Sequence, residues 1–374
     1  MSSLVFVLTL LASAGWLIAL LLPWQPWRVR EVLEADEAAS NAIDISDVTV
    51  VIPARNEAEV IEGTLEALKA QGQQLKVVLV DDDSSDNTVA LARQMGLEVL
   101  TVIESKRLPK GWTGKLWAQE QGLQHVDTPY TLLLDADIKL EAGMIKSLKN
   151  KLVVENLQFI SLMAALCFDS FWEKLLMPAF VYFFKMLYPF ALSNNSKAPI
   201  AAAAGGCIFV ETRSLREIGG MSAIKQAVID DCSLAKQVKS AGFKTWIGLT
   251  HGVKSQRRYQ SLNPIWNMVA RTAYTQLGYS VGLLAACTVI MLAMYWVPVV
   301  GLMYEKSILA MSCVSLFIMW IIYIPTLKFY AFSPLWGLAL PIIAGMFLLM
   351  TWTSAVRYWQ GERSRWKGRV YEIN

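Results

Sequence analysis

Two short apolar runs in this chain end abruptly in carboxylates. Val77-Val78-Leu79-Val80 leads into Asp81-Asp82-Asp83-Ser84-Ser85-Asp86-Asn87-Thr88, and Tyr130-Thr131-Leu132-Leu133-Leu134 leads into Asp135-Ala136-Asp137. Runs of this kind have the pattern of buried strands. In open α/β sheets, ligands bind outside the carboxyl ends of the strands. Carboxylates at those ends repel a polyanion unless a cation sits between, so a metal-bridged nucleotide diphosphate is the ligand they suit. Side chains at i and i+2 of a strand share one side, so Asp135 and Asp137 can address one ion. Oxygen ligands of this kind suit Mg²⁺ or Mn²⁺.

Other residues add to this pattern. Pro53-Ala54-Arg55-Asn56-Glu57 ends an apolar strand, and a helix starting at Glu57 would offer free backbone N–H groups to a ligand. Arg55 fits two roles, a phosphate contact or a cap on the sheet. Asp86 suits a helix N-cap. Lys115 follows Gly114 at an expected helix start, where a lysine can meet a diphosphate as a point charge. The small-residue run from Ala201 to Gly206 allows close backbone approach to a ligand, or tight packing of sheet on helix. Asp231 stands at the head of the helical stretch Cys232 to Ala241, a position that favours a carboxylate in any case. Arg257 and Arg258 could neutralise a leaving diphosphate or meet lipid head groups.

The elements that would position these residues follow from periodicity. Strands are expected over 49–53, 76–80, 97–103 and 130–134, alternating with helices over 57–70, 86–95 and 115–124. Alternation at this spacing argues for βαβ units and a parallel sheet. His125 and His251 lie in no metal or triad motif, and the five cysteines form no CxxC pair. The cysteines read as reduced thiols, which fits a globular part in a reducing compartment. The net charge of +3, without basic stripes carrying interleaved aromatics, sets nucleic-acid binding aside.

Hydrophobic residues make up 55% of the 374-residue chain and charged residues only 17%, against roughly 25% in a soluble domain. Mean hydropathy is +0.39. The excess lies in blocks. Residues 4–22 are apolar and uncharged and are followed by Arg28 and Arg30, which reads as an anchor with its C-terminal flank in the cytoplasm. Residues 168–192 are crowded with aromatics yet contain Glu173, Lys174 and Lys185, which suits a helix lying in the membrane interface, with a buried domain helix as the alternative. Three further blocks, 280–303, 308–327 and 335–356, are each long enough to span. Four crossings would put the basic tail outside, against the positive-inside tendency. One block is therefore expected to be re-entrant or interfacial, with Pro341 and Gly345 pointing to 335–356.

Val51-Ile52-Pro53-Ala54-Arg55-Asn56-Glu57, the Val80-Asp81-Asp82 run, Asp135-Ala136-Asp137 and Asp230-Asp231-Cys232-Ser233-Leu234 occur in that order. Together they resemble a family 2 glycosyltransferase with a GT-A fold, an α/β nucleotide-sugar-binding domain built on a Rossmann-like mixed sheet. Gly111-Trp112-Thr113-Gly114-Lys115-Leu116-Trp117-Ala118 and Trp366-Lys367-Gly368-Arg369 are similar to the hopene-associated glycosyltransferases and their carotenoid and ceramide-type relatives.

The resemblance implies roles. Pro53, Arg55 and Glu57 would lie at the nucleobase and ribose, and Asp82 would accept from a uracil-type base N–H. Lys115, Asp135, Arg257 and Arg258 would serve the ribose and diphosphate. Asp137 would bind the metal directly, and Asp231 would deprotonate the acceptor hydroxyl. A carboxylate beside a diphosphate and a partly apolar acceptor has a raised pKa, which suits a base. Gln256-Arg257-Arg258-Tyr259 lies where processive relatives carry Gln-x-x-Arg-Trp, but one residue short and with Tyr for Trp.

The expected organisation is an anchor over 1–30, a linker over 31–47, a GT-A domain over 48–260, a membrane region over 261–356 and a basic tail over 357–374. The expected activity is metal-dependent, inverting transfer of one sugar from a nucleotide sugar to a lipid hydroxyl. The acceptor would be a hopanoid or other polyisoprenoid-like lipid. The protein would sit in the cytoplasmic membrane, among its lipids, with the catalytic domain in the cytoplasm. A processive polysaccharide synthase and a non-catalytic nucleotide-sugar-binding membrane protein are the alternatives.

Overall fold

The computed structural model describes residues 2–36, 43–362, 365–366 and 369–370. They form two compact units. One comprises Glu31–Cys167, Phe190–Arg257 and Ser364–Asn374; the other comprises Met1–Arg30, Phe168–Pro189 and Arg258–Arg363.

The first unit is built on an eight-stranded sheet. Its strands are β1 (Val48–Ala54), β2 (Lys76–Asp81), β3 (Leu100–Glu104), β4 (Tyr130–Leu134), β5 (Ile138–Leu140), β6 (Phe159–Ala165), β7 (Cys207–Glu211) and β8 (Thr245–Ser255). Their spatial order is β3-β2-β1-β4-β7-β6-β8-β5. β1, β2, β3 and β4 run parallel, as the βαβ spacing requires. β7 runs antiparallel to both β4 and β6, and β5 antiparallel to β8, so the sheet is mixed. Reversal of β7 places the chain just before Cys207 beside the carboxyl end of β4, because Cys207 pairs with Leu134.

Alternation fills both faces of the sheet. Val50, Ile52, Leu132 and Leu134 pack with Ile61, Leu65 and Leu68 on one side. Val51, Val78, Val80 and Leu133 pack with Leu116 and Ala118 on the other. Burying each such side chain contributes about 1.5–3 kcal/mol. The helix Gly114–Leu123 lies tight against this second face: a Cβ added at Gly122 would meet Val51 Cγ1 at 2.5 Å. That close approach fixes where Lys115, at the helix start, can reach.

Several element ends differ from the sequence expectation, each for a local reason. The second helix covers Ile61–Lys69, not 57–70, because the backbone N–H groups of Asn56, Glu57 and Ala58 are taken by side chains of another loop. The third covers Thr88–Gln94, since Asp86 accepts from the Thr88 N–H as a turn residue two positions ahead of it. β3 begins at Leu100 rather than Leu97, after Gly96 takes a positive φ of 60°. The start of the 31–47 linker makes an isolated parallel bridge to β8 at Val32 and Leu249: Leu249 N–H donates to Glu31 O, and Leu33 N–H donates back to Leu249 O. Residues 37–42 lie outside the described residues. In the basic tail so do Arg363 and Lys367, while Arg365-Trp366 pairs antiparallel with Arg369-Val370.

The second unit is helical. Four of its helical stretches are long and apolar enough to cross a membrane: Ser3–Leu21, Val281–Gly301, Lys306–Phe329 and Pro334–Trp359. The 335–356 block begins in a 3₁₀ turn over Pro334–Ala339, and neither Pro341 nor Gly345 breaks the α-helix that follows. Pro341 falls in the first turn of the helix Leu340–Trp359, where its missing N–H costs nothing, and the helix runs through Gly345. The first of the three blocks is also irregular, with a π-helical turn over Leu292–Trp296 interrupting the α-helix. Trp16 Nε1 donates to the Met294 carbonyl at 2.7 Å, satisfying an acceptor within that turn. Gly15 permits the approach, as a Cβ there would lie 2.6 Å from Met294 Sδ.

The helix Phe171–Leu187 carries its charges inward. Glu173 and Lys185 are each 1% exposed. Ser170 and Glu173 form a capping box, and Lys185 Nζ donates to the Arg28 carbonyl at 2.6 Å.

Candidate active site

The loops that follow β1 and β2 are stitched together. Asn56 N–H donates to Ser84 Oγ at 3.0 Å, Glu57 N–H to Thr88 Oγ1 at 2.8 Å and Ala58 N–H to Asp86 Oδ2 at 3.1 Å. The free amides expected at Glu57 are therefore already engaged. Asn56 and Asp83 both adopt left-handed φ, 51° and 59°, which lets the loops turn sharply enough to meet.

Asp82 is 3% exposed, and its own N–H donates to Ala54 O at 2.8 Å. Arg55 Nη1 donates to the backbone carbonyls of Asp82 and Asp83, with its charge 3.8 Å from Asp82 Oδ2. These contacts hold the turn. Pro53 lies within β1 opposite Val80, two residues before Asp82, where its missing N–H is a gap in the ladder.

At the end of β4, Asp135 N–H donates to Gly206 O at 3.1 Å. Asp135 Oδ1 is 2.7 Å from Lys115 Nζ, and Asp230 Oδ2 is 3.7 Å from the same nitrogen. Burial pushes the Asp135 carboxyl above the usual range and Lys115 opposes this, with Asp137 adding to the rise. Burial would lower the Lys115 pKa, but Asp135 and Asp230 outweigh it, so the ammonium is held firmly charged.

Asp137 Oδ2 is 2.8 Å from Arg257 Nε, and Arg257 also lies 3.7 Å from Glu57 Oε1. β8 brings Arg257 there: Ser255 pairs with Ile138 and Gln256 N–H donates to Asp137 O. The two adjacent arginines part company. Arg258 belongs to the helical unit, where its Nε is 3.4 Å from Asp169 Oδ2.

Asp231 opens the helix Asp230–Ser240. Its Oδ2 accepts from Gly205 N–H at 2.9 Å, and its Oδ1 from Cys232 N–H at 2.7 Å. Burial, then repulsion from Asp230, pushes its carboxyl up to about 6, partly offset by the Cys232 N–H and Lys115. A Cβ added at Gly205 would lie 3.3 Å from Lys115 Nζ and 3.5 Å from Asp231 Oδ2. Gly205 therefore sits within van der Waals reach of both groups.

The structure thus gathers Lys115, Asp135 and Asp231 in one cluster, with Asp137, Arg257 and Glu57 linked to it through the D-x-D. Arg55 lies at the end of β1, next to β4, and Asp82 at the end of β2, one strand further out. Asp230 and Gly205 join the cluster without having been assigned a part from sequence. The signal for Asp230 was its place in the Asp230-Asp231 pair; Gly205 had only the small-residue run.

Among the described residues, no group of three His, Cys, Asp or Glu side chains could hold a metal alone. The D-x-D offers two hard oxygen donors. Mg²⁺ and Mn²⁺ suit this arrangement, being bound by one or two carboxylates together with phosphate oxygens. The residues fit a metal that arrives with a diphosphate, not a pre-built cage.

Residues 49–219 match the family model described as glycosyl transferase family 2. A 4,4'-diaponeurosporenoate glycosyltransferase of Staphylococcus haemolyticus (strain JCSC1435) is 33% identical over 93 residues, 25% of this chain and 24% of that protein. The protein of the same name from Staphylococcus aureus (strain MRSA252) is 32% identical over 105 residues, 28% of each chain. The matches thus span about a quarter of the length of these curated relatives. A mannosyltransferase from Pyrobaculum calidifontis, solved with GDP-Man and Mn²⁺, superposes with a TM-score of 0.56 at 17% identity, over 96% of this chain and 99% of that one. At that identity the likeness concerns the fold. The mixed sheet and these likenesses give the first unit the GT-A fold, and its residues 49–219 resemble family 2 glycosyl transferases.

Proposed function

We propose that the protein transfers a single sugar, with inversion, from a nucleotide-sugar donor of the UDP type to the hydroxyl of a membrane lipid. One observation carries this reading: Asp231, a carboxyl whose pKa is raised to about 6, sits in the same cluster as Lys115 and the D-x-D. A group of that pKa is largely ionised at neutral pH yet remains basic enough to accept a proton. The acceptor oxygen attacks the anomeric carbon as Asp231 takes its proton. The bond from that carbon to the diphosphate breaks on the opposite face, and the nucleoside diphosphate leaves. Lys115 and Arg257 would receive the departing charge. A divalent cation, held by Asp137 with Asp135 in support, would supply further positive charge to the leaving group. Asp82, at the end of β2, would accept from the base.

A lipid acceptor is supported by the four candidate membrane spans. The names of the staphylococcal relatives, 4,4'-diaponeurosporenoate glycosyltransferases, support the same reading. By this analogy the acceptor is polyisoprenoid-like, a hopanoid among the candidates. With the first apolar helix as anchor and Arg28 and Arg30 after it, the catalytic unit faces the cytoplasm.

The test incubates membranes containing wild-type or Asp231→Asn protein with labelled nucleotide sugars and Mg²⁺ or Mn²⁺, with and without EDTA. Mass spectrometry of the organic extract should find a glycolipid in the wild type alone, lost on chelation. Label that stays in the aqueous phase for every donor, with folded protein and suitable lipid present, would sink the reading. Label in an insoluble polymer would replace it with a processive synthase.

A further inference from the structure

Both carboxylates of the D-x-D are paired with a basic side chain. Lys115 Nζ is 2.7 Å from Asp135 Oδ1 and Arg257 Nε is 2.8 Å from Asp137 Oδ2. Each cation also has a second acid, Asp230 for Lys115 and Glu57 for Arg257, both at 3.7 Å. We propose that Lys115 and Arg257 are exchangeable counter-ions, which hold a divalent cation off Asp135 and Asp137 until a nucleoside diphosphate draws them onto its own oxygens. The inference rests on the donor-site reading above and adds an order of assembly, in which nucleotide and metal enter together.

The chemistry favours exchange over simple displacement. A metal ion needs the oxygen lone pairs that the ammonium and guanidinium now occupy, and a positive charge at those positions repels it. Lys115 lies in a pocket of acids, at 18% side-chain exposure. Leaving that pocket for water would strip its partners, whereas a diphosphate offers equivalent anionic oxygens. Arg257, at 44%, presents a planar fork that suits phosphate as well as carboxylate. The two cations face an excess of acids: Asp135, Asp137, Asp230, Asp231 and Glu57. Removing either cation therefore leaves a more negative pocket, which should bind metal better without nucleotide. A cation that served only to bind the donor would have no such effect.

The experiment measures Mn²⁺ binding to the full-length protein in nanodiscs by electron paramagnetic resonance, with and without UDP or GDP. In the wild type, nucleotide should tighten Mn²⁺ binding by about tenfold or more. Lys115→Met and Arg257→Gln should each tighten nucleotide-free Mn²⁺ binding by roughly threefold or more, and should shrink the nucleotide effect. Thermal melts identify folded variants, and either variant decides alone. Wild-type affinity that is the same with and without nucleotide would overturn the proposal while leaving the donor site standing. So would folded variants that bind Mn²⁺ no better than wild type. A protein that holds no Mn²⁺ under any condition would overturn the metal-site reading itself, and this inference with it.

Discussion

Arg55 reaches behind Asp82 and holds it by the backbone, donating from Nη1 to the carbonyl oxygens of Asp82 and Asp83. Asp83 needs that support because its φ is 59°, a conformation that costs a non-glycine residue free energy. Hydrogen bonds from charged groups contribute about 1.5–3 kcal/mol. Arg55→Ala should therefore weaken nucleotide binding by about 10- to 100-fold. Arg55→Lys should recover little of this, since lysine lacks the planar fork. Calorimetric titration with UDP and GDP measures both. Unchanged affinity in Arg55→Ala would mean that the turn holds itself.

Asp231→Asn should lower transfer by about 10²- to 10⁴-fold while leaving the fold intact. An asparagine carbonyl can still accept from the Gly205 N–H, so the backbone contact survives. Turnover in membranes, paired with circular dichroism of the purified variant, separates lost chemistry from lost structure.

The pH behaviour of Asp231 has two faces. Transfer should rise with pH through about 6 and level off above it, falling about tenfold per unit on the acid side. Stability should move the other way. A carboxyl raised by folding binds its proton more tightly in the native state than in the unfolded one. Between the ordinary carboxylate range and about 6, the native state thus holds more protons and loses stability as pH rises. Asp231→Asn removes that cost. Its melting temperature should exceed that of wild type at pH 7.5, and the gap should close by about pH 4. A gap independent of pH would place the titration elsewhere.

Glu173 is a structural carboxylate at the head of the helix Phe171–Leu187. Its two oxygens accept from the N–H groups of Asp169, Ser170 and Tyr259. Glu173→Ala leaves these donors without their acceptor at a side chain only 1% exposed. A loss of about 3 kcal/mol or more is expected, seen as a clear drop in melting temperature. Glu173→Gln, which keeps one acceptor oxygen, should fall between.

The acidic strand ends are legible in the sequence because the runs before Asp81 and Asp135 are short, apolar and uninterrupted. Strand direction is not. Cys207–Glu211 reads like any other apolar strand, and only its pairing with Tyr130–Leu134 reveals the reversal. The helix start at Ile61 depends on Ser84, Asp86 and Thr88, which belong to another loop. Pro341 looked like a break, but a proline in a first turn is harmless. The π-helical turn Leu292–Trp296 contains neither proline nor glycine and is partnered by Trp16 from the far end of the chain. Charge pairing was equally hidden: Lys115 reads as a diphosphate ligand, and nothing in its spacing shows that Asp135 and Asp230 surround it.

Gly205 and Gly206 tie two kinds of chemistry to one short piece of backbone. Gly205 holds the proposed base, and Gly206 accepts from the first aspartate of the D-x-D. Inserting or deleting one residue here would shift both contacts together, so neither acid could be retuned without disturbing the other. Segments away from this pair are freer to drift. Under the proposed function, a change of acceptor is therefore expected to arise elsewhere in the chain, leaving these two glycines as a fixed point around which specificity can diversify.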